Sequence, residues 1–371
     1  MTEENTNRFP LNGTLELTAR CNLHCKMCFI RIDKKRILEL GGRERTSREW
    51  ILMAKEILEA GTGALLITGG EPMLRPDFVE IYEAIAKMGF MLTLYTNATL
   101  ITDEIMEVLQ QYPPHSIGIT VYGASPGTYE KVTGSANAYY KMLEGVDKLK
   151  QLPSFLTIRT TIIKDNLKDL RQMTEWAYGI KEDVSFQVSR VVTKPVRGGV
   201  GSVEECRLSP IESMKMLQDR RMEYTIKPLI KLLKEDADGF VEKMKALNLD
   251  KDHKQDNKTL YGCNAGMTSY TISWDGKLLG CQMLGDCWTY PFDIGFQSAW
   301  DDFPKMVQLP MLPEECIGCK ATCNACPANR LSETGCLGGL PEYLCEESKL
   351  VDEMEGKILS KIKILIQKGD D

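Results

Sequence analysis

The chain has 371 residues, 43% of them hydrophobic and 26% charged, with a net charge of −6. This is the composition of an ordinary globular protein of one or two packed domains, with no global attraction for nucleic acid or anionic lipid. No run of ~18 apolar residues offers a membrane span, and the polar residues 1–10 are not a secretory signal, so the sequence points to the cytoplasm.

In chain order, short β-rich runs alternate with amphipathic stripes. Candidate strands lie at 14–17, 64–68, 91–95, 117–121, 156–162 and 184–192. Between the first two, Thr46 and Glu49 form a capping-box pattern, Trp50, Ala54, Ile57 and Leu58 share a helix face, and Gly61 stands at the C-cap. Further stripes run through Phe78, Ile81, Tyr82 and Ile85, and through Tyr139, Leu143, Val146 and Lys150. Strands with intervening helices predict an α/β fold with a parallel sheet over 13–195, its sites gathered at the C-terminal strand ends. Residues 196–262 loosen into a Gly-rich then charge-crowded stretch, read as a helical bridge. Residues 263–345 hold many Gly, Pro and Cys, and their apolar content predicts too thin a core to stand without metal. Over 346–371, Val351, Met354, Ile358, Ile362 and Leu365 make a helix stripe that would dock on the body.

Thirteen cysteines are the compositional anomaly. Without an export signal, metal binding is favoured over disulfides. Cys21, Cys25 and Cys28 follow the first strand, Cys206 is alone, and nine lie between Cys263 and Cys345. Three cysteines fill three of the four ligand positions of a four-iron cluster and leave one iron open for a ligand. A zinc knuckle with His24 as fourth ligand is the competing reading.

The spacing of these three cysteines, with Phe29 trailing them, resembles the signature of the radical S-adenosylmethionine (SAM) superfamily, and the βα pattern resembles its partial (βα)6 barrel. Gly69, Gly70 and Glu71, before Pro72 at the end of the second strand, match the family's GGEP motif. The resemblance implies that they hold the amino group of SAM. It further implies cofactor contacts from Phe29, Thr96, Asn97, Thr120 and Arg159, with neighbouring Tyr122 also at a strand end. Arg159 suits a carboxylate through its bidentate guanidinium.

Cys263, Gly276 and Cys281, followed by Cys316, Cys319, Cys323, Cys326 and Cys345, resemble a SPASM domain, which carries auxiliary iron–sulfur clusters. The gaps on either side of Cys323 are narrower than the family's. By the family's register, Cys316, Cys319, Cys323 and Cys345 hold one cluster, and Cys263, Cys281 and Cys326 hold another. The second set lacks a ligand where Asn257 stands, so either Cys287 or Cys336 closes it or one iron stays open. Zinc is the alternative for this region.

The resemblance implies three 4Fe-4S clusters and SAM, which is cleaved by the reduced first cluster to a 5′-deoxyadenosyl radical. It implies a peptide or protein substrate that receives a thioether or C–C crosslink or a side-chain oxidation, and an electron donor such as flavodoxin or ferredoxin. Only some twenty residues precede Cys21, which leads us to expect capture of the substrate by the barrel, the bridge or a separate leader-peptide-binding protein. Formylglycine maturation is a runner-up, because Gln282 replaces the Asp that serves as base in those relatives, and Gln takes no proton. A small-molecule substrate is the other alternative. The basic run Arg31, Lys34, Lys35, Arg36, Arg43 and Arg45 reads either as a solvated face or as an acidic-peptide grip.

Overall fold

Six of the aliphatic and β-branched runs become parallel strands: β1 (Asn12–Glu16), β2 (Ala64–Thr68), β3 (Met91–Thr96), β4 (Ser116–Thr120), β5 (Phe155–Thr161) and β6 (Ser185–Ser189). Each lies beside the next in sequence, as the βα pattern requires, giving an open partial (βα)6 barrel. The computed structural model describes residues 8–199, 201–228, 231, 260–285, 287–317, 319 and 326–367, with side chains to 358. Cys323, Asn257 and the charged stretch from 232 to 258 lie outside the described residues. Among those described, no helix is long and apolar enough to cross a membrane.

The strand registers divide the sheet into two unlike faces. Leu15, Ile67, Leu94, Ile119 and Ile158 share one face and are buried to 0% exposure beneath the helices. Helix Ser47–Glu59 contributes Trp50, Met53, Ala54 and Ile57, and helix Phe78–Ala86 contributes Phe78, Ile81, Tyr82 and Ile85. Each large side chain so buried is worth roughly 1.5–3 kcal/mol. The other face carries Thr14, Glu16, Thr68, Tyr95, Gly118, Thr120, Arg159 and Gln187, and forms a polar concave lumen. A parallel strand is usually apolar on both faces, so this polarity marks the lumen as a place for a ligand.

The capping box at Thr46 is present, with Thr46 N donating to the Glu49 carboxylate at 2.8 Å and Glu49 N donating to Thr46 Oγ1 at 3.3 Å. Two stripes need correction. Leu58 is 40% exposed, on the shoulder of a stripe centred on Trp50, Ala54 and Ile57. In helix Asn137–Leu149 the inward line runs through Ala138, Met142, Val146 and Leu149, leaving Tyr139 and Leu143 half-buried and Lys150 exposed.

The largest correction falls on the C-terminal half. Strand β7 (Ser269–Ile272) pairs parallel to β1, and β8 (Leu278–Leu279) pairs antiparallel to β7, so the barrel sheet continues into this half. Tyr270, Phe296, Trp300 and Phe303 are almost fully buried and belong to the main core. The expectation of a thin core missed that the bare edge of β1 needs a partner. It also missed the apolar stripe Phe296, Ala299, Trp300 and Phe303 on helix Phe296–Met306. The final helix, Glu342–Gln367, docks as expected but begins earlier, so that Cys345 lies within it. Its Met354 and Ile358 pack on Ile226, while the side chains of Ile362 and Leu365 are outside the described residues.

Candidate functional site

Beyond β1 the chain runs on beside the end of β2, delivering Cys21 to the mouth of the barrel. Leu17 N donates to Thr68 O at 2.9 Å, Gly70 N to Thr18 O at 2.7 Å and Glu71 N to Arg20 O at 2.9 Å. Gly69 and Gly70 are glycines for a local reason. A methyl group would stand 2.4 Å from Thr18 O at Gly69 and 2.2 Å from Arg20 O at Gly70, and Gly69 has a φ of +148°.

The cysteine loop is pinned by two segments. His24 N and Lys26 N donate to Thr133 O and Val132 O at 2.8 and 3.1 Å, and Ser202 N donates to Lys26 O at 2.8 Å. Glycines of the segment after β6 lie directly on it: a methyl at Gly199 would stand 2.3 Å from Phe29 O, and one at Gly201 2.5 Å from Cys28 O. His24, the alternative zinc ligand, is exposed while Cys25 is buried.

The structure brings Cys21, Cys25 and Cys28 together. Burial pushes the Cys21 thiol up to about 12, with the Glu71 charge next in importance, and burial also raises Cys25 and Cys28. Cys21 and Cys28 each raise Cys25 further, so the three thiols share one field. N–H donors nonetheless point at sulfur: Leu23 N and Asn97 Nδ2 approach Cys21 Sγ at 3.4 and 3.7 Å, and Arg31 N approaches Cys28 Sγ at 3.2 Å. Three soft sulfurs met by such donors fit a thiolate-ligated iron–sulfur cluster, whose binding releases the thiol protons. Among the described residues, no three Cys, His, Asp or Glu side chains form a group of the kind that holds a single metal ion.

Of the cofactor-contact candidates, Glu71 is fully buried, accepting from Asn97 N (2.8 Å), Thr96 Oγ1 (2.9 Å) and Met73 N (3.2 Å). Burial raises its carboxyl to about 7 against the pull of these donors. Asn97 Nδ2 also reaches Asn22 Oδ1 at 3.0 Å, and Asn22 Nδ2 donates to Thr99 Oγ1 at 2.8 Å, so this cluster holds the Cys21 loop as well. Asn22 and Thr99 were not singled out from sequence, since a lone Asn and a lone Thr carry no spacing signal. Phe29 is half-buried beneath Gly199, and Thr120 lies in register with Arg159 on the lumen face. The Arg159 guanidinium is stacked 4.3 Å over the Tyr95 ring and donates to its hydroxyl. Tyr122, half-buried, is hydrogen-bonded to the Cys25 thiol, and desolvation of its hydroxyl holds it well above the usual tyrosine range.

In the C-terminal half, Cys281 is half-buried, and Cys326 and Cys263, both exposed, act on its thiol. Burial raises its thiol first, and Cys326 and Cys263 raise it further. Met283 N donates to Cys281 Sγ at 3.5 Å. Cys287 is buried in the main core six residues on. Cys319 N donates to Cys316 O at 3.3 Å, and Arg330 donates to Cys316 Sγ at 3.4 Å. Cys345 sits on the final helix. In the basic run, Arg36 pairs with Glu39, and Arg43 and Arg45 pair with Glu49.

The family model "Radical SAM superfamily" matches residues 15–177. The chain is 28% identical over 349 residues to the AdoMet-dependent heme synthase of Methanosarcina barkeri, covering 90% of this chain and 93% of that protein. It is 30% identical over 174 residues to the PqqA peptide cyclase of Bradyrhizobium diazoefficiens, covering 47% of this chain and 45% of that one, so that alignment spans less than half of the relative. Structures of Streptococcus suis SuiB bound to S-adenosylmethionine and to its precursor peptide SuiA match at TM-scores of 0.63 and 0.66. Identity is 15% in both, over 91% and 92% of this chain and 75% and 77% of theirs.

Proposed function

We propose that the chain, whose residues 15–177 match the radical SAM superfamily model, is a radical SAM enzyme that modifies a peptide or protein by hydrogen abstraction. The product is a thioether or C–C crosslink, or an oxidised side chain. Bound at this site, a 4Fe-4S cluster and SAM supply reductive cleavage to a 5′-deoxyadenosyl radical. Cys21, Cys25 and Cys28 hold the cluster, and Gly69, Gly70 and Glu71 receive the amino group of SAM. Phe29, Thr96, Asn97, Thr120 and Arg159 would complete the cofactor contacts, the guanidinium of Arg159, held on the Tyr95 ring, being suited to the carboxylate. Two auxiliary clusters are held by Cys316, Cys319, Cys323 and Cys345, and by Cys263, Cys281 and Cys326 with Cys287 as the candidate fourth ligand. The enzyme works in the cytoplasm with a flavodoxin- or ferredoxin-like donor. Its substrate is captured by the lumen, the bridge or a separate leader-peptide-binding protein.

The observation that carries this reading is a polar lumen with one cysteine site at its mouth and a second cysteine group beside it. The relative named PqqA peptide cyclase supports it, and the fold is shared with SuiB, whose structure holds its precursor peptide.

A second reading has its own support. The relative aligned along 93% of its length is named a heme synthase, which favours a tetrapyrrole substrate. The two readings separate in one assay: the reconstituted enzyme, SAM and a reductant are incubated with an iron porphyrin precursor or with peptides encoded beside the gene. Substrate-dependent 5′-deoxyadenosine and a mass change in the peptide support the first reading. The same changes with the porphyrin alone would replace it with the second.

A further inference from the structure

Arg197, eight residues past β6, opens the glycine segment that lies on the first cysteine loop. Its guanidinium grips Glu16 through two hydrogen bonds of 2.8 Å. Glu16 stands at the lumen end of β1 with its side chain fully buried, and that of Arg197 is 11% exposed. The arginine stem rests on the loop that carries Cys281: a methyl at Gly285, four residues past that cysteine, would stand 2.7 Å from Arg197 Cγ. Arg197 is thus wedged between the barrel and the Cys281 loop. Two residues further on, Gly199 lies against Phe29 beside the first site.

A buried ion pair is not in itself a gain in stability, because desolvation offsets most of the attraction. Its place beside a cysteine group gives it a different use. Adding an electron to an iron–sulfur cluster adds negative charge, and fixed charge near the sulfurs is one of the levers that set its potential. Cys263 and Cys326 are exposed, but the Arg197 guanidinium on the barrel side is buried, and there solvent screens its charge little.

We propose that Arg197 is a positioning residue of the auxiliary cluster at Cys263, Cys281 and Cys326: clamped by Glu16, it fixes the Cys281 loop to the barrel and raises the cluster's reduction potential. The proposal rests on the reading that this cysteine group binds a cluster.

The test uses the full-length chain carrying C21A, C25A and C28A, so that only C-terminal clusters contribute to an EPR-monitored redox titration. R197Q should move one C-terminal midpoint to a more negative value, while R197K, which keeps the charge, should leave it near the parent's. R197Q/E16Q leaves no buried charge unpaired and serves if R197Q does not fold. It should also move the midpoint negative, by less, because the arginine stem lies on the Cys281 loop and Glu16 lies on β1. A purely structural role would lower iron content or Tm in R197K and R197Q alike without moving the potential. A parent chain with no C-terminal iron–sulfur signal overturns the auxiliary-cluster reading together with the proposal. A signal whose midpoint ignores both R197Q and R197Q/E16Q overturns the role of Arg197 alone.

Discussion

Gly70 makes the tightest backbone contact at the first site, and the consequence of filling it is specific. Gly70→Ala places a methyl 2.2 Å from Arg20 O, one residue from Cys21, so the cysteine loop must shift. Misplacement on the order of 1 Å can cost about 100-fold in rate, and a loss of that order in SAM cleavage is the expected outcome. A normal rate of 5′-deoxyadenosine formation would show that the loop tolerates the shift. The cysteines themselves give a sharper outcome. C21A/C25A/C28A should abolish 5′-deoxyadenosine while iron remains in the C-terminal half, and retained cleavage would rule the assignment out. Glu71 and Asn97 were legible only as members of a motif and a strand end. Their mutual hydrogen bond and the reach of Asn97 to Asn22 needed the fold, because residues 22, 71 and 97 meet only where three strands end side by side.

Among the elements, the final helix is fixed by a polar anchor as well as an apolar stripe. Glu347 is 3% exposed, accepts from Arg190 Nε at 3.0 Å and is hydrogen-bonded by Ser213 Oγ. It therefore ties this helix to the end of β6 and to helix Pro210–Arg221. Removing the buried carboxylate leaves the half-buried Arg190 and the buried Ser213 hydroxyl without their partner, at a cost of about 1–3 kcal/mol. Glu347→Ala should lower Tm accordingly, and a melt unchanged from wild type would show that solvent reaches Arg190 in its place. On the other side of the barrel, Phe303→Ala should cost about 3–5 kcal/mol through the cavity it leaves. Chemical denaturation would check this: a loss near zero would mean that helix Phe296–Met306 does not share the main core.

For the whole molecule, the two cysteine regions imply a stoichiometry. Three four-iron clusters give about twelve irons per chain on reconstitution, and C263A/C281A/C326A should lower this by about four. If Cys287 is the fourth ligand, Cys287→Ala should lower the iron content by up to about the same amount. An iron count near four with zinc present would instead favour a zinc site in the C-terminal half.

The parallel order of the first six strands, the cysteine loop at the end of β1 and the glycines at the end of β2 were legible in the sequence. Strand composition, capping residues and cysteine spacing are local signals, written within a few residues. Tertiary structure alone decided what depends on distant pairings. It decided that β7 covers the open edge of β1, that Cys326 and Cys263 act on the Cys281 thiol, and that Arg197 joins Glu16 across 181 residues of chain. A strand edge, a thiol or a buried charge fixes that a partner is needed, but many residues can meet the need, and only packing selects among them.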